Sequence, residues 1–407
     1  DFRNEHNTMG YNVEIDPYAP TSTPRKRTAM GRFGHEGAWP AAAVAGRPLV
    51  WYMGDDSTNQ FVYKYVSRQN WDPSFTGLAA GDRYLDEGTL YAAVFNADGS
   101  GEWRALEFGQ NGLTEDNALY PFTSQAAVLV NTRLAASSVG ATRMDRPEWG
   151  AVNPVNGEVY FTMTNNSGRG LASGSGVIAN PASASNPRSY VDERINADGS
   201  TSTLRGNVNG HIIRFRENGN DPTATRFVWD IYAFGAQADA DPATINLSGL
   251  SDDNDFSSPD GLWFHREGIP GTAGLLWVQT DDGATVDRTN NQMLAAVPGS
   301  VGDGGSREVS AVNGADTTTT TTFIGAPITA TNMRRFLVGV RGSEITGVDC
   351  TPDGRTMFVN VQHPGEDTSS LADPTAFQSH FPDGGTARPR SATVVVTRND
   401  GGLIGVA

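Results

Sequence analysis

A single cysteine among 407 residues excludes any intrachain disulfide, so the fold must be held without covalent cross-links. Cys350 lies between an apolar strand position and a TPDG turn, the setting of a buried, inert thiol rather than a nucleophile or ligand. The lack of disulfides does not exclude export. No apolar run reaches the roughly 18 residues that a membrane-spanning helix needs. Histidine is scarce as well. His6, His35, His211, His265, His363 and His380 form neither an HxH nor an HExxH pattern, which leaves a zinc hydrolase of that type unsupported. No G-x-S-x-G elbow, phosphate-binding P-loop or dinucleotide fingerprint occurs. Basic charge is short: 30 Lys and Arg against 46 Asp and Glu give a net charge of −16. That balance argues against binding nucleic-acid polymers or anionic lipid. An acidic protein acting on an anionic substrate must supply local positive charge from Arg, Lys or metal. The chemistry left to this chain is carboxylate, arginine and metal.

What is abundant is turn chemistry, with 47 Gly and 22 Pro, and a recurring unit. Four stretches share an acidic residue, a nearby Gly, an apolar β run and a cluster of oxygen-bearing side chains. Glu36 opens HEGAWPAAAVAGRPLVWYMGDDS and Glu148 opens EWGAVNPVNGEVYFTMTNNS. Asp260 opens DGLWFHREGIPGTAGLLWVQTDDG and Glu344 opens EITGVDCTPDGRTMFVNVQHPGE. Recurrence of one strand–turn–strand unit points to a repeat architecture, and in a β-propeller the first strand of each blade lines the central channel. Carboxylates entering each first strand would meet on one axis and repel unless cations sit between them. The acids are 112, 112 and 84 residues apart. These steps exceed the roughly 40–50 residues of a usual blade, so the units carry insertions or less regular blades lie between them.

The coarse reading is therefore all-β, a propeller with loop and helical insertions in one domain over residues 1–407. Strands are expected at 11–16, 41–45, 48–53, 60–66, 90–95 and 102–108, the last two flanking the turn NADGSG. Residues 115–139, rich in Ala and Leu, read as an inserted helix. Residues 167–209 and 235–256 read as polar loops, 211–215 and 226–231 as outer strands, and 258–312 as the third unit. The Thr-rich tract 317–322 reads as a linker-like strand or loop, and 392–397 as a final strand. Four blades are clear, and residues 88–108 suggest a fifth.

Within this frame the candidate metal ligands are Glu36, Glu148, Asp260 and Glu344. Arg146 precedes Glu148 by two residues, a spacing that on an extended segment places both on one side. The pair suits a metal-plus-oxyanion site, or simply an intrastrand salt bridge. Asp260 and Asp353 both sit in PDG turns; Asp353 reads as a turn residue, Asp260 as turn or ligand. Asp55–Asp56, Asn165–Asn166 and Asp281–Asp282 close second strands and read first as turn residues, although their oxygens are of the kind calcium prefers.

The segments GRFGHEGA, WYMGDDSTNQFVYKYVS, RPEW, TNN, SSPDGLW and ITGVDCTPDGRTMFVNVQHPGE, with the closing RPRSATVVVTRNDGGLIG, resemble the PhoX family of bacterial alkaline phosphatases across nearly the whole chain. The resemblance implies a six-bladed propeller, of which about five blades are covered here. It implies an exported, periplasmic or extracellular enzyme that uses Ca²⁺ with Fe³⁺ and releases phosphate from phosphomonoesters. Glu36 and Glu148 would then be axial metal ligands and Arg146 would contact phosphoryl oxygens, while Asp260 and Glu344 fall on matching motifs. Family members carry a further N-terminal part with a Cys iron ligand upstream of GYNVEIDP. The expectation is that such a segment is missing here, or is supplied by a second chain. Two other readings stay open: another calcium-dependent propeller hydrolase of lactonase type, and a non-catalytic, metal-stabilised binding or structural module.

Overall fold

The computed structural model describes residues 2–196, 198–265 and 274–405. The connector 266–273 of the third unit lies outside them. The strands form radially stacked sheets of a β-propeller. In the first, Trp39–Pro40 (β1), Pro48–Gly54 (β2), Val62–Asn70 (β3), Gly88–Phe95 (β4) and Ser100–Ala105 (β5) follow one another. The second runs Pro147–Val152 (β6), Val159–Met163 (β7), His211–Glu217 (β8) and Arg226–Phe234 (β9). The third comprises Pro259–Phe264 (β10), Leu276–Thr280 (β11), Gln292–Ala296 (β12) and Met333–Val338 (β13). The last comprises Glu344–Cys350 (β14), Thr356–Gln362 (β15) and Ala392–Thr397 (β16). All pairings within these sheets are antiparallel.

Period-two alternation builds the stack. Phe161 and Ile213 face the first sheet, where they join Tyr52, Phe95, Trp103 and Phe215 in one buried cluster. Their neighbours Tyr160 and Ile212 face the third sheet and pack with Leu262, Leu276 and Val278. On the far side of that sheet Trp277 and Met293 meet Ile345, Cys350, Met357 and Val359 of the last. Sheets buried on both faces read as continuous apolar runs, which is why β7 is the unbroken VYFTM. Cys350 is part of this core, as its sequence setting suggests.

Residues 88–108 are not a fifth blade. They are β4 and β5, the outer strands of the first sheet, and β5 pairs onward with β9 of the second (Phe227 opposite Gly101). The two units thus join at their outer edges into one nine-stranded sheet. Gly101 permits the junction, since a Cβ there would lie 2.1 Å from the Phe227 ring. The segment expected as one helix forms two short ones, Gln125–Val130 and Thr132–Ser138, the first capped by Ser124. Val128, Ala135 and Ala136 cover Met53, Tyr63, Leu90 and Ala92 on the open face of the first sheet. The helices therefore seal that apolar face as another blade would.

Other differences have local causes. Residues 41–45 leave the ladder after Ala41, whose N–H still donates to Val50, because the run is mostly Ala and ends in a turn at Gly46 with positive φ. The 167–209 segment contains a hairpin, Tyr190–Ile195 with Thr201–Gly206. The Thr-rich tract is the strand Asp316–Phe323 paired with Ser306–Asn313, as β-branched Thr favours. Helix Gly77–Tyr84 escapes sequence reading because two glycines interrupt its eight residues.

A buried ion pair locks the junction of the first two sheets. Lys64 Nζ lies 3.0 Å from Glu217 Oε1, which also accepts from Tyr52 Oη at 3.0 Å and Trp103 Nε1 at 3.0 Å. Burial pushes the Glu217 carboxyl up to about 7 and the Lys64 amine down to about 8. Removing one member of such a pair strands the other charge. Lys64→Met is expected to cost about 3–5 kcal/mol, read by chemical denaturation. Adding Glu217→Gln should recover part of the loss.

Candidate metal and oxyanion site

Three of the four acids singled out by the repeat lie close together, and the fourth stands in a neighbouring group. Glu36, Glu148 and Asp260 offer carboxylate oxygens within 4.8 Å of one another. Glu344 belongs to a neighbouring group with Asp281 and His363, drawn to the same limit. The two groups share one electrostatic neighbourhood: the charge of Glu344 acts on both Glu36 and Asp260. Glu148, Asp260 and Glu344 are buried, whereas Glu36 is exposed.

Local backbone geometry aims these side chains. Arg146 (φ 57°), Ser258 (φ 46°) and Gly342 (φ 64°) each stand two residues before an acid with positive φ. A proline follows Arg146 and Ser258, and proline disfavours helical conformations in the residue before it. Such conformations in non-glycine residues cost about 1–3 kcal/mol each and persist only where the surroundings enforce them. Immediately beyond, the β6–β7 register shifts between Pro147 and Gly150, and the β10–β11 register between Pro259 and Leu262. Glu148 and Asp260 occupy these bulges, a device that re-aims a side chain out of the ladder.

Each blade is tied to the next at this level. Thr162 and Thr164 donate to the Asp260 and Pro259 carbonyls at 2.8 and 2.9 Å. Gln279 Nε2 donates to the Gly347 carbonyl at 3.2 Å. Between the first two blades the backbones touch: a Cβ on Gly54 would lie 2.4 Å from the Glu148 carbonyl oxygen.

Burial raises the carboxyls of Glu148 and Asp260, and the nearby charge of Glu148 raises Asp260 further. Desolvation of the carboxylates raises Glu36, Glu344 and Asp281 as well, with Asp56 adding to Glu36 and Asp281 adding to Glu344. Asp260 Oδ1 is buried with no hydrogen-bond partner. An oxygen-rich set that repels itself and leaves an orphaned buried acceptor fits a hard cation.

Arg146 is in the site but not extended beside Glu148, as its φ shows. Its guanidinium is also not free. Nε and Nη2 donate to Asp56 at 3.0 and 3.3 Å, and Nη2 lies 2.8 Å from Glu148 Oε1. Among the described residues Nη1 has no partner, so one edge of the fork remains for an anion.

Three participants were underrated by sequence reading. Asp56 clamps Arg146, Asp281 joins Glu344, and His363 places Nε2 3.3 Å from Glu344 Oε2. All three follow a second strand, at the end of β2, β11 and β15. That shared position was the available signal; a lone His without a paired spacing gave none. Their sequence neighbours do other work. Asp55 binds Arg133 at 2.8 Å, and Asp282 caps Ala284 and Thr285 at 2.7 and 2.8 Å. Asn165 reaches Ser258 Oγ at 3.3 Å. Asp353 holds its own turn through Thr351 and Arg355. Trp149 Nε1 donates to Glu36 at 3.2 Å, fixing the one exposed acid.

The model of the alkaline phosphatase PhoX family matches residues 1–365. The chain belongs to the PhoX family. A solved structure of Pseudomonas fluorescens PhoX in complex with vanadate, a transition-state analogue, is similar at 37% identity with a TM-score of 0.75, covering 99% of this chain and 60% of that one. The chain thus spans less than two thirds of the length of that PhoX. No curated protein matches it.

The Gly54 contact gives a direct test of how the site is held. Gly54→Ala must push β6 away from β2. It is expected to cost about 1–3 kcal/mol and to weaken any cation binding at Glu148, read by thermal melts and by calorimetric titration with Ca²⁺ as the probe ion. An unchanged Ca²⁺ affinity would show that this backbone contact does not set the position of Glu148.

Proposed function

We propose that this PhoX-family chain hydrolyses phosphomonoesters to inorganic phosphate at the Glu36–Glu148–Asp260 cluster. The observation that carries the reading is Arg146, a guanidinium with one free edge set among carboxylates that call for cations. The all-oxygen group of Glu36, Glu148 and Asp260 would hold hard cations, with Glu344 beside it, and we take these to be Ca²⁺ with Fe³⁺, the pair implied by the family resemblance. Bound cations would supply charge neutralisation and Lewis-acid activation. The chain's own residues do the rest. Arg146 donates from Nη1 to phosphoryl oxygens and stabilises the charge that develops in the transition state. Asp56 holds the plane of that guanidinium. The vanadate bound in the Pseudomonas PhoX structure supports phosphoryl chemistry on this fold. An arginine fork suits a phosphoryl group better than a lactone. No helix among the described residues is long and apolar enough to cross a membrane; the family resemblance supports export to the periplasm or beyond.

Arg146→Ala should lower phosphatase turnover on the order of 10²–10³-fold, with metal content by elemental analysis unchanged. Steady-state hydrolysis of p-nitrophenyl phosphate reads the effect, and undiminished turnover would overturn the role.

Cation loss should also loosen the fold, since the carboxylates repel without it. Ligand at a hundredfold its Kd stabilises by about 2.7 kcal/mol, so chelation should lower the melting temperature and Ca²⁺ add-back should restore it. A melt indifferent to chelator would favour a site whose carboxylates stay protonated.

A further inference from the structure

Beneath Arg146 lies a polar cluster that the proposed reaction does not use. Asp145 is fully buried, with Asn166, Arg169 and Asn207 at most 2% exposed. Its carboxylate is saturated. Oδ1 accepts from Arg169 Nε at 2.8 Å and Asn166 Nδ2 at 2.7 Å, and lies 2.7 Å from Arg169 Nη2. Oδ2 accepts from Asn207 Nδ2 at 2.9 Å. These donors come from the two ends of one excursion, the segment leaving β7 and the segment entering β8. Asn166 and Asn207 also exchange backbone hydrogen bonds at 2.9 and 3.0 Å. The next residue is Arg146, with φ 57° and Pro147 behind it. Its own carbonyl accepts from Thr164 N–H at 3.2 Å. A buried charge removed from water is tolerated only when it is fully bonded, so the side chain of Asp145 is anchored through both oxygens, and the strained residue begins at that anchor.

We propose that Asp145 is a positioning residue: it holds Arg146 in its left-handed conformation, and so keeps the guanidinium between Asp56 and Glu148 with Nη1 turned to the substrate. The proposal rests on the phosphatase reading for its catalytic consequence, but not for its geometric one. Without the Asp145 anchor, residue 146 relaxes toward the extended conformation that a following proline favours, and its side chain leaves the site.

The test is a double-mutant cycle in the full protein with Asp145→Asn and Arg146→Ala. Asparagine keeps the shape but presents an NH₂ group to donors. The expected result is a kcat loss on the order of 10² for Asp145→Asn with KM changed far less, and no further loss when it is added to Arg146→Ala. Additive losses, or an unaltered kcat, would overturn the proposal. Calorimetric titration with Ca²⁺ provides a readout independent of turnover. Withdrawing a guanidinium from among Asp56 and Glu148 should tighten Ca²⁺ binding in both single variants, and no more in the double. If the wild type hydrolyses no phosphomonoester, the functional reading fails while this titration still decides the positioning role. Should Asp145→Asn not fold, Asn166→Ala removes one of the donors to Asp145, together with the bonds of Asn166 to Asn59 and Gly168, and should move both readouts the same way by less. An Arg146→Ala shift in Ca²⁺ affinity that neither anchor variant reproduces would overturn the proposal.

Discussion

Carboxylates brought close together in one site are the constraint that the rest of the molecule answers to. Glu148, Asp260 and Glu344 are buried and Glu36 stands beside them, and the charges of Glu148, Glu344 and Glu36 all raise Asp260. In a chain of net charge −16 the surroundings offer little relief. Arg146 supplies one positive charge at hydrogen-bond distance from Glu148. It does not satisfy Asp260 Oδ1, which has no hydrogen-bond partner among the described residues. Such a set of oxygens could hold cations, and their binding would link the folding free energy of the inner strands to cation concentration.

Holding such a site requires rigidity at the first strand of every unit, and the stacking provides it. Tyr160 and Phe161 look in opposite directions into two different cores, so β7 cannot shift without disturbing both. Thr162 and Thr164 of the same stretch carry their hydroxyls to the backbone that bears Asp260. Packing and site geometry are thus the same residues seen at successive positions. The two short helices belong to the same logic: the first sheet has a second apolar face, and Val128 and Ala135 close it.

The sequence made the architecture legible where the periodicity was strong. The acid-first units, the apolar second strands and the helical insertion were all visible, because each follows from a local pattern. The fifth blade was misread because a hairpin such as 88–105 looks the same whether it begins a sheet or extends one; only the non-local pairing of Gly101 with Phe227 decides. Within the site, the first-strand acids stood out because the repeat marked them. Asp56, Asp281 and His363 did not, since an acid or His after a strand is ordinary turn chemistry until the fold brings three such ends together. The conformation of Arg146 was also hidden: i and i+2 share a side on an extended chain, and a positive φ breaks that premise.

That positive φ explains a further regularity. The repeat places a residue of left-handed backbone two positions before three of the four acids, as Arg146, Ser258 and Gly342. Only the last is the residue type that adopts this conformation without strain. The strain at the other two must be offset by tertiary bonding, and the bonding is there: Thr164 and Asp145 around Arg146, and at Ser258 an N–H donated to Asn209 at 3.0 Å. Glycine at residue 146 would carry the same backbone with less strain but would forfeit the guanidinium. The strain at that position therefore accompanies a guanidinium that lies between Asp56 and Glu148, whereas Gly342 follows the local preference.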